Sequence, residues 1–195
     1  MLDNVKKNNI LKVIFETIKN KRKLNIIKYN KRLTIKLDIT KQDFEIYVYL
    51  KEFNNKYNTN IKDIDKRELD LSNRYIENKG LRDLVKFKFN NLRVLNLDRN
   101  HISDINILEI VNFKELKVLS FGGNEISDIN ILEKVNFKEL KQLGLNNNNI
   151  SDIKVLEKVK FEKLELLSLG ENNIDLEKNN LIISKLKSVL QKFII

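Results

Sequence analysis

The sequence contains no cysteine, no proline and no tryptophan, only one histidine and only five glycines. Without cysteine, neither a disulfide nor a thiolate metal site can form. Small secreted domains usually need such staples, so a cytoplasmic location is expected. The lone histidine, His101, leaves too few ligands for zinc chemistry and a single base for any histidine-dependent triad. Paired glycines occur in "FGGNE" (121–125), yet no G-x-x-x-x-G-K-[ST] loop or G-x-G-x-x-G fingerprint accompanies them. These absences point away from an enzyme, with no catalytic residue, metal or cofactor expected. No run of about 18 apolar residues occurs, so no membrane span is expected. The opening "MLDNVKKNNILKVIFETIKNKRK" is interrupted by lysines throughout, unlike a signal peptide.

Charge is plentiful but unevenly placed. Residues 1–62 hold 15 Lys/Arg against 6 Asp/Glu, whereas 63–195 hold 22 against 21, so nearly all of the net +10 lies at the N-terminal end. Such asymmetry can mark nucleic-acid or anionic-membrane contact, here through Lys21–Arg22–Lys23 and Lys31–Arg32. Lysine outnumbers arginine 30 to 7, however, and base or phosphate recognition favours arginine's fixed fork. A solvated basic face is the simpler reading, and nucleic acid is disfavoured.

The strongest positive signal is a repeat. The segments "LRVLNLDRNHI" (92–102), "LKVLSFGGNEI" (116–126), "LKQLGLNNNNI" (140–150) and "LELLSLGENNI" (164–174) share L-x-x-L-x-[LF]-x-x-N-x-I at intervals of 24. A degenerate unit, "RELDLSNRYI" (67–76), precedes them by 26, with Arg74 in place of asparagine and extra residues in "ENKG". This period and pattern are the signature of leucine-rich repeats, in which each coil buries its apolar face on its neighbours. Alternation sends Leu95 and Leu97 inward, and Val94, Asn96 and Asp98 outward. Phe113, Phe137 and Phe161 recur at the same spacing, and at that period they read as core rather than as a cofactor stack. "ILEKVNFKEL" leaves room for a fuller helical turn behind each strand.

Two polar columns accompany the leucines. Asn100, Asn124, Asn148 and Asn172 follow the strands, where an inward carboxamide can accept from N–H and donate to C=O of adjacent coils. They are assigned a structural role. Ser103–Asp104, Ser127–Asp128 and Ser151–Asp152, within three copies of "ISDI", read as N-caps of short outer helices. A cation-binding column of carboxylates about 5 Å apart is the alternative.

The repeats resemble the leucine-rich-repeat family over roughly residues 64–195, and the "NxISDI" run is similar to internalin-type repeats. The resemblance implies an α/β solenoid, with a parallel sheet on the concave face and short helices on the convex face. The expected division is a helical N-terminal domain (1–62) and a repeat domain (63–195). In "LIISKLKSVLQKFII", Ile182, Leu186, Val189, Leu190 and Phe193 fall at helical spacing, which implies a capping helix over about 178–193. Three helices are expected before residue 62, the third in "TKQDFEIYVYLKEF" with Thr40 as its cap and Asp43 in its first turn. "ILKVIFETI…KLNIIKYNKRL" is similar to the F-box motif. That resemblance implies that Ile10, Leu11, Ile14 and Phe15 dock on the small adaptor subunit of a cullin-type ubiquitin ligase. It departs from the motif in lacking a preceding proline and in having Asn9 where an acidic residue is usual.

The outward strand positions make a grid: Glu68, Asp70, Ser72; Val94, Asn96, Asp98; Val118, Ser120, Gly122; Gln142, Gly144, Asn146; Leu166, Ser168, Gly170. Core packing explains the inward leucines but not outward Val94, Val118 and Leu166 in one column. An apolar strip with a polar surround suits a protein partner. The last four triplets, Val94 to Gly170, are therefore the expected partner-binding residues, with Gly122, Gly144 and Gly170 allowing close approach.

Overall fold

The computed structural model describes residues 41–62, 64–111, 113–159 and 162–195. The chain divides into two compact units, residues 1–65 and 66–195. In the first unit, helix α1 (Lys41–Tyr57) buries Leu50, Phe53 and Tyr57 at helical spacing, and the Phe53 and Tyr57 rings lie 4.6 Å apart. Asp43 sits in its first turn, where the helix dipole favours a carboxylate. Asn58 follows in the left-handed conformation (φ 48°), a conformation in which helices commonly terminate. The Asn54 carboxamide then ties down the next loop, accepting from the Ile61 N–H and donating to the Ile61 carbonyl. The two helices expected upstream, Thr40, the basic clusters at 21–23 and 31–32, and the four F-box-like residues lie outside the described residues.

The second unit is built on a parallel sheet of six strands among the described residues, ordered as they occur in the chain. They are β1 (Glu68–Asp70), β2 (Val94–Asn96), β3 (Val118–Ser120), β4 (Gln142–Gly144), β5 (Leu166–Ser168) and β6 (Lys192–Ile194). Register is constant: Leu69, Leu95, Leu119, Leu143, Leu167 and Phe193 align in one inward row. Each strand is short, but its ladder continues past it. The Leu97 N–H donates to the Ser120 carbonyl, Arg99 to Gly122, Phe121 to Gly144 and Gly123 to Asn146. Leucines two residues past the inward row, such as Leu71, Leu97 and Leu145, are also fully buried. A strand this short with one apolar face has no stability alone, so each coil depends on its neighbours.

Parallel strands need a crossover, and the chain supplies one per coil. After β1 it is an α-helix, α2 (Glu77–Leu84). After β2, β3 and β4 it is only a 3₁₀ turn, at Asn106–Ile110, Asn130–Glu133 and Lys154–Glu157. The expected fuller helical turn therefore forms only in the first coil, whose 26-residue spacing provides the extra length. In the others, Ile105 and Phe113, or Ile129 and Phe137, are both buried and must be bridged by too few residues for two α-helical turns. Phe87 is buried 26 residues before Phe113 and extends the aromatic column into the first coil, while Phe161 lies outside the described residues.

The C-terminal element differs from expectation. Helix α3 spans Asn180–Val189, not 178–193, and Leu190 is already extended with ψ 140°. The backbone instead turns to pair with β5: the Lys192 N–H donates to the Glu165 carbonyl, and the Leu169 N–H to Ile194. Phe193 thus joins the inward row beside Leu167 rather than a helical stripe. Ile182 and Ile183 are the buried residues of α3, and Val189 is exposed. Among the described residues no helix is long and apolar enough to cross a membrane.

Candidate functional site

The open face of the sheet is anchored by what lies just beneath its edge. Each buried asparagine reaches back into the preceding coil. Asn124 accepts from the Asn100 and Ile102 N–H groups, each at 3.0 Å, and donates to the Leu97 carbonyl at 3.0 Å and to Phe121 at 2.9 Å. Asn148 accepts from the Ile126 N–H and donates to Phe121 and Leu145; Asn172 accepts from Ile150 and donates to Leu145 and Leu169. Asn100 does the same for the first coil, accepting from Arg74 and Ile76 N–H groups and donating to Leu71. Because the bond always points backwards, the first coil is tied to the second without an asparagine of its own, which accounts for Arg74.

Above this ladder, the register sets three outward rows. Val94, Val118, Gln142 and Leu166 are neighbours on consecutive strands, flanked by Glu68 and Lys192. Asn96, Ser120, Gly144 and Ser168 form the second row, between Asp70 and Ile194. Asp98, Gly122, Asn146 and Gly170 lie just beyond the strand ends. Val94, Val118 and Leu166 are each half-buried, and Gln142 is exposed.

Two of the three outward glycines answer to internal geometry. A Cβ on Gly144 would lie 2.8 Å from the Ser120 Oγ. That hydroxyl donates to Asp98 Oδ1 at 2.6 Å, and the Gly122 N–H donates to the same oxygen at 2.7 Å. A Cβ on Gly122 would meet Asn146 Oδ1 at 3.1 Å and Asp98 Oδ1 at 3.3 Å. Only Gly170 has ordinary clearance, its nearest neighbour being Ile194 Cγ2 at 3.6 Å.

The grid read from sequence stops one column short. Asn73, Arg99, Gly123, Asn147 and Glu171 all take left-handed backbone conformations, with φ from 54° to 66°. With Ser72, Asn96, Asp98, Gly122 and Asn146, the first four of these line a depression of about 440 Å³. Its cause is the pair Gly122–Gly123, which removes two side chains between Asp98–Arg99 on one side and Asn146–Asn147 on the other. "FGGNE" was the signal available in the sequence.

The turn edge carries less chemistry. Asp104, Asp128 and Asp152 accept from the N–H two residues on, at Asn106, Asn130 and Lys154, at 2.8–2.9 Å. These are Asx turns placed one residue ahead of the 3₁₀ capping position, because that position is occupied by buried Ile105, Ile129 or Ile153. The aspartates rather than the serines thus start the turn; Ser103 instead accepts from the Asn78 amide. Among the described residues no group of three or more His, Cys, Asp or Glu is placed to hold a metal ion. His101 is exposed, its ring 5.5 Å from Tyr75 in a stacked pair and its Nδ1 2.8 Å from Glu125 Oε1.

Comparison with a family profile agrees with the repeat. The family profile described as Leucine Rich repeats (2 copies) matches residues 90–134 and 114–158. Among solved structures, an internalin from Listeria monocytogenes is 30% identical over 58% of this chain and 30% of its own length, with a TM-score of 0.44. Internalin C2 from the same organism is 22% identical over 73% of this chain and 70% of its own, also with a TM-score of 0.44. The chain thus spans under a third of the first of these proteins. A comparison with curated proteins gives no match. The fold is an α/β leucine-rich-repeat solenoid.

Proposed function

We propose that this leucine-rich-repeat solenoid is a protein-binding module that grips its partner on the open face of the sheet. One observation carries the reading: register aligns the partly exposed, outward Val94, Val118 and Leu166 with Gln142 in an unbroken row, where the fold itself asks only for inward leucines. Apolar side chains flanked by Asn, Ser and Gly provide burial area at the centre and hydrogen bonding around it. The test is affinity capture of partners from native cells with wild type and with Val118→Glu/Leu166→Glu. Loss of specific partners from the double variant is expected; recovery of the same set would remove the open face from consideration.

The finer reading extends to residues outside those described. The F-box resemblance supports a cytoplasmic substrate adaptor, with Ile10, Leu11, Ile14 and Phe15 docking a ubiquitin-ligase subunit while the sheet holds the substrate. Its support is sequence alone. Co-purification of that subunit, abolished by Ile10→Asp/Ile14→Asp, is the expected result, and its absence from wild-type captures refutes the adaptor role.

A further inference from the structure

The depression at Gly122–Gly123 has a definite chemical character. The chain as a whole carries +10, yet the fifteen outward grid positions of β1–β5, from Glu68 to Gly170, hold three carboxylates, Glu68, Asp70 and Asp98, and no cation; the adjoining turn column adds Arg99, which lines the depression beside Asp98. Lys192, the outward cation of the strands themselves, stands on β6, four strands or about 19 Å from Asp98's strand. Asp98 is half-buried at the wall of the depression, and among the described residues it makes no ion pair. Its Oδ1 is already occupied by the Ser120 hydroxyl and the Gly122 N–H. These two bonds fix the carboxylate and leave Oδ2 to accept from a partner. Across the double glycine, Asn146 presents its carboxamide, with Oδ1 3.1 Å and Nδ2 3.2 Å from where a Gly122 Cβ would stand, so that rotation of the amide can turn its oxygen to a donor.

A held carboxylate facing a carboxamide oxygen across bare backbone is a seat for a donor with several N–H groups. A bare metal ion fits poorly. Calcium asks for six to eight oxygens, and Arg99 lines the same depression with its Cγ against Gly123. A peptide is compatible with both walls, because it carries a basic side chain for Asp98 and carbonyl oxygens that tolerate a neighbouring guanidinium.

We propose that the Gly122–Gly123 depression seats a lysine or arginine side chain of the partner protein, with Asp98 as its counter-charge and Asn146 as a second acceptor. This rests on the open-face reading and names the partner's chemistry: a basic segment laid across the strand ends of β2–β4.

The Gly122 amide is a built-in reporter, since its N–H bonds the carboxylate in question. The full-length protein, labelled with nitrogen-15, is titrated with the capped tripeptides Gly-Arg-Gly, Gly-Lys-Gly and Gly-norleucine-Gly. The cationic peptides are expected to shift the Gly122 amide saturably at millimolar concentration, and the norleucine peptide not to. Asp98→Asn keeps an oxygen for Ser120 and Gly122 and is expected to fold, which the unfolding midpoint checks. It should weaken the cationic peptides by up to about fivefold, the upper range for one part-exposed charge pair. Asn146→Lys, which tethers an ammonium in the seat, should abolish the shift. An unmoved Gly122 amide, equal shifts with norleucine, or unchanged affinity in both variants overturns the proposal. Capture with the Val118 and Leu166 variants succeeds or fails independently, so loss of the cation seat is distinguishable from loss of the open face.

Discussion

At the scale of single residues, the asparagines do what no leucine can. Burial at the turn strands backbone N–H and C=O groups, and a carboxamide serves both kinds at once. Removing it orphans them, at roughly 1–3 kcal/mol for each group left without a partner or water. Asn124 accepts from two N–H groups and is buried, whereas Asn172 accepts from one and is half-buried. Asn124→Ala is therefore expected to destabilise the protein by about 2–3 kcal/mol and Asn172→Ala by about 1 kcal/mol. Urea denaturation with an unchanged slope checks the ranking; equal midpoints would mean that water replaces the side chain at both positions. These positions stand out in the sequence because they repeat at 24. Their direction does not, and only the coordinates show that Asn100 serves the coil before it. The side-chain chemistry around Asp98 was equally hidden, since Ser120 and Gly122 are ordinary residues until the register sets them beside it.

At the scale of the element, every coil turns left-handed at one shared position, and the first two coils do so again at Tyr75, Glu77 and His101. Asn73, Arg99, Asn147 and Glu171 do so with side chains, and Gly123 does so without one. Left-handed backbone costs most residues about 1–2 kcal/mol, less for asparagine, most for β-branched side chains. Gly123→Asn is thus expected to leave stability within about 0.5 kcal/mol, and Gly123→Val to cost at least about 1–2 kcal/mol. The only contact below 3.4 Å that a Cβ meets there is Arg99 Cγ at 3.0 Å, on a flexible side chain that can move. Thermal unfolding of the two variants decides whether strain or contact dominates. Neighbouring coils are also laced at their surface. Glu139 accepts from Lys163 at 2.6 Å, and that bond lowers the Glu139 pKa from its ordinary 4.5. A depressed carboxylate contributes stability that is present above the ordinary value and lost as pH falls through the lower folded one. Lys163→Gln should move the Glu139 titration up towards its ordinary range, with Lys117 and Lys141 still holding it down in part, followed by carboxyl carbon shifts in NMR. The lengths of the outer turns were the poorest reading from sequence. Apolar spacing counts residues between buried anchors, but it does not say that a 24-residue coil can afford only a 3₁₀ turn where a 26-residue coil forms an α-helix.

At the scale of the whole repeat unit, the sequence pattern reveals more than at either smaller scale, because a solenoid is specified by periodicity. Four copies in register dictate parallel strands, one inward row and one open face before any coordinate is known. The pattern fails where it stops repeating. "LIISKLKSVLQKFII" has no periodic copy to compare with, so a helical stripe is the natural reading through Phe193, and the ladder offered by β5 overrides it. Nearest-neighbour architecture also sets how the unit loses structure. Helix α3 packs against the 154–157 turn and β6, and its Ile183 is buried. Ile183→Ala should cost about 2–4 kcal/mol. In a quasi-one-dimensional stack that loss is felt first by the adjoining coils. Amide exchange is therefore expected to accelerate at Leu169, whose N–H bonds the Ile194 carbonyl. It should stay near wild type at Leu97 and Phe121, whose N–H groups bond Ser120 and Gly144 in the interior of the sheet. If all three amides accelerate by the same factor, the coils unfold in one step, and coupling between them reaches well beyond nearest neighbours.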